Sequence, residues 1–312
     1  MYQNKITIEL EVIKIDKQNG SLLTGDAKEF ITIPESVIIN SEMDTKRVAV
    51  YIFFWLWHGK NNKIMHSIES MVIGCGHIPN KHKGKSNDQF WNLMQQFQNI
   101  GYIENSHIPE LEHSHTTITI TKFCNDWYDS IRNTERFARL YLDEINKIVS
   151  YDCSKGSKSI TNSNILLVFA YLRLKIIVRN TTECTESIES RKKNPEVFYR
   201  YYKDICTELG ITEKTLSAIL KILSKELGLI YIEHTRKSYE NENGSIQWIT
   251  YPTLFCNTYK RLQGKVIYSG SDYFLQETRN KIDGLNFDNI KKVNTKIEEE
   301  DSETDVKWYE LI

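Results

Sequence analysis

The sequence predicts an α+β chain, mainly α, and three observations predict it. First, Leu209-Gly210-Ile211-Thr212 separates two helical stretches. Gly210 can take the left-handed backbone that closes one helix, and the Thr212 hydroxyl can cap the next. Second, Leu216, Ile219, Leu220, Leu223 and Leu227 recur at helical spacing up to Gly228. Leu229–Glu233 and Ile246–Tyr251 then read as the strands of a hairpin, with Arg236–Ser245 as a polar loop between them. Third, the order is repeated nearer the start. Phe90, Leu93, Met94, Phe97 and Ile100 share one helical face, Gly101-Tyr102-Ile103 matches Gly228-Leu229-Ile230, and Phe123-Cys124-Asn125 matches Phe255-Cys256-Asn257. Helix, tight turn, helix, hairpin is the order of a winged helix-turn-helix. Two such domains in tandem, joined by a long helix, are the expected architecture.

Each element has its own justification. Ile6–Val12 alternates and predicts a leading strand; Phe30–Val37 predicts a short extended piece that ends at Pro34. Val48–Trp57 is apolar on every side, so its helix should be buried. His66–Ile73 predicts a helix stopped by Gly74-Cys75-Gly76, and Ser86-Asn87-Asp88-Gln89 has the pattern of a capping box. Thr116–Thr121 predicts a returning strand. Trp127–Val149 carries Trp127, Ile131, Phe137, Leu140, Tyr141, Ile145 and Ile148 in rough helical period and predicts the connecting helix. Tyr151–Asn164 reads as a joint, and Ile165–Ile177 as the counterpart of the helix at 48–57. Thr181–Asn194 is a polar insert, and Lys265–Ser269 and Asp272–Lys281 read as a further strand and helix. The predicted divisions are 1–125, a connector over 126–162, 163–262, and an extension over 263–312.

Composition narrows the function classes. The chain has 312 residues and a net charge of -1, but the charge is uneven. Residues 298–312 hold seven acids and one lysine, which leaves 39 basic and 34 acidic residues before them. A mildly basic body therefore carries an acidic tail that ends in Trp308-Tyr309-Glu310-Leu311-Ile312. The six cysteines form no C-x-x-C pair, which predicts reduced thiols in a cytoplasmic protein. No apolar run approaches the ~20 residues of a membrane span.

Phe30–Val37, the helix from Lys46 and Gly101-Tyr102-Ile103 resemble the N-terminal domain of winged-helix replication initiator proteins of bacterial plasmids and phages, over about residues 30–125. The resemblance implies binding to double-stranded DNA at repeated origin sites, in many members as a dimer, and a later domain that recruits replication machinery. The chain departs from that pattern in a longer turn, Gly74–Lys85, and in its second winged unit.

A recognition helix enters the major groove by its N-terminal end. The residues expected at base edges are therefore Asn87, Asn92 and Gln95, with Gln89 a further candidate, in the first domain. In the second they are Lys214, Thr215, Ser217 and Lys221, with Glu213 beside them opposing phosphate. Phosphate contacts are expected from Lys81, Lys83 and Lys85, from Arg191, Lys192 and Lys193, and from Arg236 and Lys237. Against each stands the plain reading of a solvated loop or face.

Chemistry has less support. The G-x-x-x-x-G-K phosphate cradle is missing. His66 with Gly74-Cys75-Gly76-His77 lacks a second ligand pair. His113 and His115, with Tyr128 as a nucleophile, mimic a nicking site only loosely, because Ser114 stands where a bulky apolar residue is needed. The expectation is a binding protein, with no enzyme activity, metal or cofactor. Initiator, transcription regulator and protein-interaction module are the three readings, and the tail is expected to pack on the body, to dock a replication or transcription protein, or to compete with DNA.

Overall fold

The computed structural model describes residues 30–57, 63–105, 115–123, 134–153, 160–176, 197–234, 236–240, 244, 246–250, 252–258, 260–262 and 265–268. The predicted strand Ile6–Val12, the insert 181–194, the helix predicted at Asp272–Lys281 and the tail lie outside them. Helices mix with small antiparallel sheets, so the chain is α+β.

Strand β1 (Phe30–Pro34) buries Ile31 and Ile33 and leads into the short helix α1 (Glu35–Ile38). Helix α2 (Arg47–Trp57) is buried from Val48 through Phe54, as its all-round apolar sequence predicts. Strand β2 (Lys63–His66) alternates exposed and buried residues. Helix α3 (Ile68–Gly74) then starts at a Ser67 cap, so His66 belongs to a strand and not to the predicted helix. Helix α4 (Ser86–Asn99) buries Phe90, Leu93, Met94 and Phe97. Strands β3 (Ile103–Asn105) and β4 (Thr119–Phe123) complete a sheet of order β2-β4-β3.

The predicted connecting helix is corrected here. Among the described residues of that stretch, Phe137–Tyr141 forms strand β5, antiparallel to β1, and only Leu142–Val149 is helical (α5); residues 127–133 lie outside them. Ala138 and Leu140 are buried and Arg139 between them is exposed, which is a strand's period of two. The backbone groups of β1 offer this segment a ladder, and that pairing overrides its rough helical period.

After β5 and α5 the order repeats. Helix α6 (Asn162–Lys175) is buried from Ile165 through Leu172. Strand β6 (Val197–Arg200), helix α7 (Tyr202–Leu209), helix α8 (Glu213–Lys221) and strand β7 (Ile230–Glu233) follow. Strands β8 (Arg236–Glu240) and β9 (Ile246–Thr250) form a hairpin, and β10 (Thr253–Asn257) closes a sheet of order β6-β10-β7. The polar stretch predicted as loop at 236–245 is thus partly strand. A last hairpin pairs β11 (Lys260–Leu262) with β12 (Lys265–Tyr268).

Strand register shows how closely the halves correspond. Thr119 pairs with His66, just before the Ser67 cap, and Thr253 pairs with Arg200, just before the Tyr201 cap. Phe123 pairs with Ile103, two residues after Gly101, and Asn257 pairs with Ile230, two after Gly228. Both glycines have positive φ. From either neighbouring strand, therefore, 119–123 corresponds to 253–257. The Gly-x-Ile match lies in register; the Phe-Cys-Asn match is displaced by two residues.

In the helices, Leu216, Ile219, Leu220 and Leu223 repeat the spacing of Phe90, Leu93, Met94 and Phe97. Four positions separate Phe97 from Gly101 and five separate Leu223 from Gly228. A π turn at Ile222–Glu226 absorbs the additional residue.

The two leading strands join the halves. Phe30 faces Tyr141 and Pro34 faces Phe137, so the pair is centred on Thr32 and Arg139 and exchanging β1 with β5 preserves it. Helix α6 packs against α2, and one continuous apolar cluster runs from Ile31 to Phe255. A charged chain crosses the same junction. Arg136 and Lys175 both reach Glu35, Lys175 also reaches Glu208, and Glu208 accepts from Arg200 and from the Tyr171 hydroxyl. Hydrogen bonding from Arg136 holds the Glu35 carboxyl below its ordinary range.

Candidate nucleic-acid interface

In the first half the candidate surface is α4 and the loop 75–85 before it. Gly74 ends α3 where an added Cβ would stand 2.6 Å from Phe53 Cε2, so only glycine fits there. His77 packs its ring edge-on to Phe90 and shares a 2.7 Å hydrogen bond with Ser163 Oγ on α6. Beyond it the loop is laced to the first turn of α4. Ser86 Oγ donates to the Ile78 carbonyl, Gly84 N–H donates to Asp88 Oδ2, and Gln89 Nε2 donates to the Gly84 carbonyl. These bonds replace the predicted capping box, and Lys85 stands at the N-cap without a side-chain cap. The loop backbone is tied down while Lys81, Lys83 and Lys85 are exposed beside a positive helix end.

Asn87 is the main correction. The helical spacing puts it at a base edge, yet it is fully buried. Its Oδ1 accepts from Asn80 N–H at 2.8 Å, and its Nδ2 is 3.0 Å from His115 Nδ1. A position that looks outward in a helical projection is covered by the lengthened loop and by the segment that leads into β4, so it clamps the two together. Asn92 is exposed and Gln95 is half-buried, one turn apart on α4. Gln96 Nε2 donates to the Glu42 carbonyl and fixes this helix to the turn before α2.

In the second half the predicted turn forms as expected. Gly210 closes α7 at φ 71 and ψ 33, in the left-handed region, and Thr212 Oγ1 accepts from Thr215 N–H. Lys214, Ser217 and Lys221 are exposed on α8, above buried Leu216, Ile219 and Leu220. Thr215 is half-buried and its hydroxyl lies 2.9 Å from that of Thr212, so it belongs to the cap more than to the surface. Glu213 is exposed at the head of the helix. Lys225, exposed four residues after Lys221, extends the basic stripe; its i, i+4 spacing is the signal by which the sequence marks it.

Arg236 and Lys237 sit on β8 opposite Thr250 and Ile249. The hairpin region of the second half thus has two parts, its register stepping by one residue between β7/β10 and β8/β9. Arg191, Lys192 and Lys193 lie outside the described residues, as do His113 and Tyr128. His115 is described and is taken up by Asn87. Among the described residues no three metal-ligating side chains come together, and no helix is long and apolar enough to cross a membrane. No protein-family model, no curated protein and no solved structure matches this chain.

Proposed function

We propose that the chain is a site-specific double-stranded DNA-binding protein made of two winged helix-turn-helix units, acting as a replication initiator of a plasmid, phage or integrated element. One observation carries this reading. Two halves share an element order and a sheet register, and in each a helix with an exposed polar face follows a shorter helix and precedes a β-hairpin. That is the arrangement in which a second helix can enter a major groove while the hairpin flanks it.

The residues divide by role. Asn92 and Gln95 offer amides that can donate and accept at an adenine edge, whereas Lys214, Ser217 and Lys221 suit guanine edges and phosphate. Exposure of Lys81, Lys83 and Lys85 on a tied loop supports their role as backbone-phosphate contacts. The initiator role rests on the resemblance of residues 30–125, and a transcription regulator would use the same parts. Footprinting on DNA from the gene's own neighbourhood separates them, by protection of iterated repeats or of a promoter.

The direct test is a salt series on the triple variant Lys81→Ala, Lys83→Ala, Lys85→Ala. The slope of log affinity against log salt should flatten by up to about 0.9 for each phosphate no longer neutralised, with all sequences weakened alike. Asn92→Ala should instead cost about 1–3 kcal/mol at one base pair and leave the slope unchanged. Absence of any shift with DNA by the intact chain overturns the reading.

A further inference from the structure

The outer face of the β2-β4-β3 sheet differs from its counterpart in the second half. Lys63 stands opposite Lys122 and Met65 opposite Ile120. Met65 is 73% exposed, Ile118 59% and Ile120 39%. In the register that relates the halves, Ile120 corresponds to Leu254 and Lys122 to Cys256, and both of those are 1% exposed. Burial also pushes the hydroxyl of Tyr199, at the position of Met65, up to about 12. The same sheet face is therefore covered in one half and open in the other.

We propose that this face is the docking surface for residues 298–312 of the same chain. Charge selects that occupant. Lys63 and Lys122 are direct cross-strand neighbours, a pairing of like charges that is disfavoured unless an anion lies nearby. Glu104, opposite Lys122 on β3, offsets part of this charge at 3.7 Å, with both side chains in reach of solvent. Next to the lysine pair lies an apolar strip, Met65, Ile120 and Ile118. Residues 298–312 present the complement in the same order: six acids within 298–305, then Val306, Trp308, Tyr309, Leu311 and Ile312. The 29 residues between Tyr268 and Glu298 can span up to ~100 Å when extended, a long tether for docking within one chain. Acidic residues beside the lysines and aromatic groups over Met65 and Ile118 give this face the cover that its counterpart already has. The proposal does not depend on DNA binding.

The experiment uses the full chain carrying Met65→p-benzoylphenylalanine. It is irradiated as a one-to-one mixture of isotopically light and heavy protein, and cross-linked peptides are identified by mass spectrometry. Cross-links to 306–312 within single chains are expected. The yield should fall at least fivefold in the same chain bearing Trp308→Lys and Leu311→Lys, and also in the one bearing Lys63→Glu and Lys122→Glu. Of the substituted sites on the sheet Lys63 and Met65 are exposed and Lys122 is half-buried, and thermal melts of each variant confirm a retained fold. Light–heavy cross-links would make the face an interface between copies and overturn docking within one chain. Cross-links to another segment, none at all, or a yield untouched by the tail substitutions would each overturn the proposal as well.

Discussion

Among single residues, Arg47 and two histidines tie stability to buried polar groups. Arg47 is fully buried, and its guanidinium donates to the carbonyls of Val37, Ile38, Met43 and Asp44. It gathers the end of α1 and the turn before α2 onto one fork, which a lysine cannot imitate. Desolvation lowers it to about 10, still charged at neutral pH. Arg47→Met should leave several buried carbonyls without partners and cost roughly 3 kcal/mol or more in denaturant unfolding; Arg47→Lys should recover only part of it. His66 and His77 are held at about 4, chiefly by burial, and are neutral in the folded chain. The unfolded state binds their protons near pH 6.5, so stability is intact above that pH and falls as pH drops toward 4. Up to ~3 kcal/mol for each is at stake, and unfolding at stepped pH reads it. His77→Gln should be less stable at pH 7 and have a flatter acid limb.

For the elements, the turn of the second half and the loop of the first solve one problem differently. Gly210 and Thr212 make a short turn from local chemistry. Thr212→Ala should cost about 1 kcal/mol, and Gly210→Ala a similar amount because its φ is positive although the space around it is open. The first half uses the longer loop 75–85 and holds it with side chains, Asn87 foremost. Asn87→Ala should cost about 1–3 kcal/mol and, on the proposed function, weaken DNA binding as a whole by loosening the loop, while Asn92→Ala leaves the melting temperature unchanged. Measuring melting and DNA affinity together distinguishes the clamp from the proposed base contact.

For the whole molecule, the shared core governs how it unfolds. Helices α2 and α6 pack on each other, and the apolar cluster passes through both halves. Leu167, fully buried on α6, should cost about 2–5 kcal/mol when cut to alanine. Because α6 packs against α2 of the first half and α8 of the second, calorimetry should show a single transition shifted to lower temperature. Two resolved transitions would mean that the junction, with its Glu35–Lys175–Glu208 chain, contributes little.

The sequence by itself determined what local chemistry can state. Gly210 and Thr212 specify their turn, the stripes from Phe90 to Phe97 and from Leu216 to Leu223 specify helix faces, and Gly101 and Gly228 open hairpins at matching positions. The apolar helices α2 and α6 could be read as buried because no side of either tolerates water. Only tertiary structure decided the rest. Phe137–Tyr141 became a strand because β1 supplied a ladder that no neighbouring residue could announce. Asn87 went inward because a loop that begins twelve residues earlier and a histidine 28 residues later meet over it. The Phe-Cys-Asn match proved displaced because register belongs to strand pairs, not to identities along one strand. Arg47 reads as a surface cation until its acceptors are known, since the carbonyls that make its burial favourable are brought to it by the fold.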